Sequence, residues 1–63
     1  MTIKKGNPYR YLGHDVVATS DCRRVSGGRC ADFQVTRDGN GTGHLDGYRF
    51  TGNAANAKGQ GND

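Results

Sequence analysis

Two cysteines, two histidines and six aspartates are the residues of this 63-residue chain that could do covalent or metal chemistry. Cys22 with His14 or His44 would supply a nucleophile and its base, and Asp15, Asp32 or Asp46 could orient the imidazole. The same cysteines and histidines make a zinc set by type. Their spacing speaks against it. Cys22 and Cys30 stand eight positions apart, whereas a zinc knuckle separates its cysteines by roughly two to four residues. A chain this short also has little body with which to exclude water, and a small-molecule pocket typically needs roughly 300 Å³ or more. The expectation is a protein that is not an enzyme, with no cofactor and no metal. The cysteines are then free thiols that pack as small hydrophobes. A hairpin turn centred on Ser26 would face them across two strands, close enough for a disulfide. A turn centred on Gly27-Gly28 would set Cys22 against Phe33 instead, and the residues admit both registers.

A second group of residues suits binding better than catalysis. The net charge is +3 and unevenly spread: residues 1–29 hold six Lys/Arg against two Asp, and residues 30–63 hold three against four. A basic half beside a near-neutral half fits an anionic partner. Arg23, Arg24 and Arg29 flank one expected hairpin turn, where they can grip a phosphate backbone, with Lys4, Lys5 and Arg10 in support. Two triplets, Tyr9-Arg10-Tyr11 and Tyr48-Arg49-Phe50, each put two rings on one face of a strand and an arginine on the other. Tyr9, Tyr11 and Tyr48 are therefore candidates for stacking unpaired bases. The competing reading makes these rings core, because the chain has few other large apolar side chains to bury.

The run Asp38-Gly39-Asn40-Gly41-Thr42-Gly43-His44-Leu45-Asp46 carries oxygen side chains on alternate residues, as a loop that wraps a hard cation does. It resembles the calcium loop of EF-hand proteins. Asp38, Asn40 and Thr42 fall at the first, third and fifth positions, Gly43 at the sixth, Leu45 at the eighth and Asp46 at the ninth. The likeness covers 12 of the 63 residues and implies calcium. It departs at the twelfth position, where Arg49 replaces the bidentate glutamate, and the segment before it reads as a strand instead of a helix. The residues themselves read as a flexible hairpin loop. The same run lacks the Lys-Ser/Thr ending and the following helix of a phosphate-binding loop.

What must position these residues is a sheet. Glycine contributes 11 residues and asparagine five, every acid is Asp, and Glu and Trp do not occur. That is a composition of turns and caps, not of long helices. Tyr9 to about Cys22 is strand-like, with Gly13 expected as a bulge where the apolar parity changes. Val25-Ser26-Gly27-Gly28 reads as a hairpin turn. Ala31, Phe33 and Val35 alternate with Cys30, Asp32, Gln34 and Thr36, the cleanest period-two pattern in the chain. A second turn follows at Asp38-Gly39-Asn40-Gly41, then a third strand from His44 to Phe50, with Asp46-Gly47 as a tight turn that could interrupt it.

The fold class expected is mainly β. It is a small three-stranded antiparallel β-meander over residues 9–51, with a flexible N-terminal tail at 1–8 and a short helix or disordered tail at 52–63. One such sheet leaves a face to cover, so a homodimer is a candidate assembly. No apolar run approaches the roughly 20 residues of a membrane span or the core of a secretory leader. The expected location is the cytoplasm, with no membrane partner. The function expected is non-catalytic nucleic-acid binding through the basic hairpin. The alternative is a small phage- or plasmid-type regulator or inhibitor that modulates a larger host protein complex, docking on an acidic surface or by an edge strand.

Overall fold

A computed structural model describes residues 3–59. Over these residues the chain is mainly β and antiparallel, with six strands in place of three. They are β1 (Pro8–Tyr11), β2 (His14–Ala18), β3 (Arg23–Val25), β4 (Gly28–Arg37), β5 (Arg49–Asn53) and β6 (Ala57–Gly59), with one 3₁₀ turn at Ala54–Asn56 before the last. The strand expected from Tyr9 to Cys22 is two strands. Gly13 is no bulge: with Leu12 it forms the two-residue loop of a tight hairpin that sets Tyr11 opposite His14. Leu12 and Gly13 have φ of +48° and +88°, the paired positive values of a type I′ turn, whose twist matches that of the flanking strands.

The strand expected from His44 to Phe50 is also displaced. His44–Gly47 form a turn, closed by the Gly47 N–H donating to the Val35 carbonyl at 2.8 Å. Pairing with β4 begins only at Arg49. Of the expected C-terminal helix only the 3₁₀ turn forms, capped by the Asn53 side chain, which accepts from the Ala55 N–H. The segment has no large apolar stripe to bury as a helix. Its Ala54 and Ala57 are buried against the core instead, and β6 returns to pair with β1. The disorder expected beyond Gly59 lies outside the described residues. At the other end the expected tail is anchored from Ile3 onward. Ile3 is fully buried, the Gly6 N–H donates to the Ala18 carbonyl at 2.8 Å, and the Cys22 N–H donates to the Ile3 carbonyl at 2.9 Å. A core with so few large side chains gains too much from an isoleucine to leave it in water.

β4 is the spine of the sheet. Cys30 pairs with Arg23 on one side and Asn53 on the other, and Phe33 likewise pairs with Ala18 and Phe50. β3 and β2 thus share one edge of β4, and β5 takes the opposite edge. β1 pairs with β2, and β6 with β1. Three residues of 3₁₀ turn join β5 to β6, so the two ends of the sheet are held close and the sheet is curled. The Tyr11 hydroxyl closes this seam, accepting the Asn53 N–H at 3.1 Å and the Asn56 side-chain amide at 3.4 Å. Inside the curl lie Ile3, Tyr9, Val16, Ala18, Ala31, Phe33, Val35, Ala54 and Ala57.

The loop that resembles a calcium site is held by its own hydrogen bonds. The Asp38 side chain is 1% exposed. Its Oδ1 accepts the Asn40 N–H at 2.9 Å, its Oδ2 accepts the Thr42 hydroxyl at 2.8 Å, and Asp46 Oδ1 accepts the Asp38 N–H at 2.8 Å. His14 Nδ1 accepts the Gly39 N–H at 2.9 Å. Gly39 approaches so closely that a Cβ there would lie 1.9 Å from the Gly13 carbonyl oxygen. Arg49, at the position of the missing glutamate, belongs to β5 and faces Gln34. The oxygens are therefore turned to the loop's own donors, as in an Asx-type turn.

The Asn40 N–H and then the Thr42 hydroxyl favour the ionised form of Asp38, holding its pKa below the ordinary 3.8 against the opposing effect of burial. A carboxylate lowered in this way stabilises the fold above its unfolded-state pKa and loses that contribution as pH falls through the native value. Asp38→Asn should therefore lower the urea midpoint at pH 7 and flatten the decline of stability below about pH 4. An unchanged midpoint at pH 7 would show that the loop holds without the carboxylate.

Candidate nucleic-acid interface

The β3–β4 hairpin turns through Ser26-Gly27, with Val25 opposite Gly28, Arg24 opposite Arg29 and Arg23 opposite Cys30. This is neither of the two registers open to the sequence. Cys22 faces neither Cys30 nor Phe33, and both cysteines are free thiols. Every residue of β3 is exposed, because the hairpin runs past the end of the core.

The three arginines of the hairpin differ in their surroundings. Arg23 is tied into the framework. Its Nη2 lies 3.1 Å from Asp32 Oδ1 and its Nη1 3.2 Å from Ser20 Oγ. Asp32 also accepts the Thr51 hydroxyl at 2.6 Å, and the Asp32 N–H donates to Ser20 Oγ at 3.0 Å. Ser20 thus supplies the acceptor where the pairing of β4 passes from β2 to β3. The Thr51 hydroxyl, and next Arg23, hold Asp32 below the ordinary carboxylate range, and the Asp32 carboxylate in turn favours the charged Arg23. Arg23 therefore stiffens the root of the hairpin.

Arg24 and Arg29 are different. Directly opposed residues of an antiparallel pair project from the same face, so the two guanidinium groups share one side of the hairpin. Among the described residues neither has an ion-pair partner. Arg29 also borders a groove of about 380 Å³ between the hairpin and the 3₁₀ turn, with Gly27, Gly28, Asn53, Ala54 and Ala55 on its walls. Lys4 and Lys5, both exposed, sit beside the hairpin root at the turn that the Asn7 N–H closes on the Lys4 carbonyl at 3.2 Å. There the Lys5 N–H donates to Asp21 Oδ1 at 2.8 Å, next to the bond between Cys22 and Ile3.

The fold therefore gathers Lys4, Lys5, Arg23, Arg24 and Arg29 at one end. It does not bring Arg10 to them. Arg10 lies in β1 opposite Asp15, with Nε 3.7 Å from Asp15 Oδ1, and Lys58 of β6 faces it from the other side. Lys58 and Arg37, which faces Asp15 across β2 and β4, were not singled out from the sequence. Their position depends on a strand register that no local pattern reveals.

Three of the four triplet rings, Tyr9, Tyr11 and Phe50, do share a face, and that face is turned to the core. Tyr9 packs edge-on against Phe33 with centroids 6.4 Å apart, and Tyr11 lies 5.2 Å from Phe33 and 4.9 Å from Phe50. Tyr9 is buried, and its hydroxyl accepts the Lys4 N–H at 3.0 Å. Tyr9 and Tyr11 are core rings spent on packing and on the seam, so neither offers a free face to a base. Tyr48 is 56% exposed and stacks on Phe50 at 6.0 Å with 15° between planes. It keeps one ring face open.

Among the described residues no group of three or more His, Cys, Asp or Glu is assembled to hold a metal ion. No protein-family model, no curated protein and no solved structure matches the chain.

Like charges directly opposed across a hairpin destabilise it. Arg24→Thr removes that repulsion and places a β-branched residue in a strand. It should raise stability by about 0.2–1 kcal/mol, read as a higher thermal midpoint at low ionic strength, with the gain shrinking as salt screens the pair. A lower midpoint at low salt would mean that Arg24 supports the fold.

Proposed function

We propose that the protein is a small non-catalytic nucleic-acid-binding module that grips phosphate through the β3–β4 hairpin. The observation that carries this reading is the opposed pair Arg24–Arg29, two exposed cations held on one face without an ion-pair partner among the described residues. The pair costs the hairpin stability, and an anion lying between the two guanidinium groups relieves that cost. Lys4 and Lys5 extend the positive surface along the hairpin root, and Arg23, braced by Asp32, keeps the hairpin in register. Arginine forks suit phosphate oxygens, which two parallel N–H donors can meet together.

A second reading makes the same hairpin the contact to an acidic protein surface, as a small modulator of a larger complex would use. Val25, 42% exposed beside the arginines, favours it, since apolar area at a hairpin tip suits a protein partner better than a phosphate backbone. Ionic strength separates the two. Phosphate binding releases counterions, so log K falls linearly with log salt by about 0.9 per phosphate on duplex DNA and about 0.7 on single strands.

Fluorescence anisotropy with labelled oligonucleotides across a salt series is the direct test. The wild-type chain should show that linear dependence, and the double variant R24A/R29A should lower the slope on duplex DNA by about 1.8 and weaken binding at every sequence alike. Absence of binding at low salt, or equal binding by the variant, would overturn the phosphate reading. A single protein retained from lysate after nuclease treatment would favour the second.

A further inference from the structure

We infer that the groove between the β1–β2 turn and the 3₁₀ turn with β6 holds one nucleotide of a single strand, with Leu12 against the base and Arg10 and Lys58 on the phosphate. The inference rests on the nucleic-acid reading above and adds a second contact, across the 3₁₀ turn from the hairpin, that selects unpaired over paired nucleic acid.

Leu12 is the starting point. It is the one non-glycine residue with positive φ among the described residues. It is also 70% exposed. A bulky side chain at positive φ is strained, and the first loop position of a type I′ turn strongly prefers asparagine, aspartate or glycine. The fold draws nothing from this leucine, since its side chain stands outside the core cluster. Strain kept at an exposed position points to use by a ligand, and an exposed apolar side chain held by a rigid turn is the kind of wedge that covers a base face.

The surroundings fit the rest of a nucleotide. Leu12 borders an open groove of about 710 Å³ whose lining includes Arg10, Ala55, Asn56 and Lys58. Arg10 and Lys58 are directly opposed across β1 and β6, so they project from one face like Arg24 and Arg29. Asp15 engages Arg10 only at 3.7 Å, and Lys58 has no ion-pair partner among the described residues. The Asn56 side-chain amide donates to the Tyr11 hydroxyl, which fixes its orientation and leaves its carbonyl oxygen to accept from an exocyclic amino group on a base. Leu12 and Ala55 supply the apolar walls. A base in a duplex is stacked on both faces and cannot enter; an unpaired base can. This groove and the one that Arg29 borders share Ala55 as a wall. The two cation pairs therefore flank the 3₁₀ turn, and a single strand would run across it from one pair to the other.

The test compares the wild-type chain with L12N and with R10A/K58A on a labelled single-stranded DNA of about 15 nucleotides, within the range one small β-barrel domain occupies, and on the matching duplex. L12N should raise the melting temperature, because Asn-Gly is the preferred pair for this turn. It should also weaken single-strand binding about tenfold and leave duplex binding unchanged. R10A/K58A should lower the single-strand salt slope by about 1.4. Greater stability with weaker single-strand binding is a combination that a merely structural role for Leu12 does not produce. If L12N binds the single strand as tightly as wild type while R24A/R29A still weakens it, this inference falls and the hairpin reading stands. If the wild-type chain binds neither oligonucleotide, both fall together. If R24A/R29A binds as wild type while L12N and R10A/K58A lose single-strand affinity, the hairpin reading falls and the groove stands.

Discussion

Phe33 is the residue on which the rest of the fold depends. It has no exposed surface, it lies mid-way along the longest strand, and its backbone pairs on both sides. Rings from β1 and β5, which do not pair with each other, meet on it: Tyr9 and Tyr11 from one strand and Phe50 from the other. Only a curled sheet can bring those strands to the same ring. A flat meander would leave Phe33 half covered, and a domain of about 60 residues buries too little surface to accept that. The remaining core positions are filled largely by alanine and valine, which lets the strands on the two sides of the curl approach closely. Tyr11 does two jobs in this arrangement. Its ring joins the cluster, and its hydroxyl ties the β5 end of the sheet to the β1 edge.

How far the sequence discloses this structure follows from which signals are local. The alternation Ala31, Phe33, Val35 marks β4 and its inward face, and the antiparallel, mainly β character follows from composition and turn residues. Strand count and pairing are less legible. Gly13 reads equally as a bulge or as half of a turn, because a type I′ turn normally opens on asparagine or glycine and here opens on leucine. The anchoring of Ile3 and the packing of Ala54 and Ala57 come from contacts between the chain's ends and its middle, which no window of sequence contains. The register of the β3–β4 hairpin depends on Ser20 replacing a backbone acceptor opposite Asp32, a device invisible until the strands are paired. The hairpin cations were nonetheless legible as a group, since five of the six proposed basic residues are close in sequence to one turn or bonded beside it. Arg10 was separated from them by the fold, and the tyrosines at 9 and 11 were claimed by the core.

The placement of charge follows a common rule. Where an arginine serves the fold, it has a carboxylate: Arg23 has Asp32. Elsewhere cations oppose cations, as Arg24 does Arg29 and as Arg10, with Asp15 on its other side, does Lys58. Such pairs are tolerated at exposed strand ends because water and salt screen them, and they concentrate positive potential at two points on a small surface. The one non-glycine residue with positive φ among the described residues lies beside the second pair. On the proposed reading these features form one surface, with phosphates held on either side of the 3₁₀ turn and an unpaired base covered at Leu12.

The most direct measurement is a titration of the ¹⁵N-labelled chain with a short single-stranded oligonucleotide, followed by backbone amide chemical shifts. The account predicts shifts confined to two clusters, residues 24–29 with the neighbouring Lys4 and Lys5, and residues 10–13 with 55–58, while Phe33 and the centre of β4 stay still. Shifts centred on the Asp38–Asp46 loop or on the outer face of β5, or no shifts at all, would contradict it.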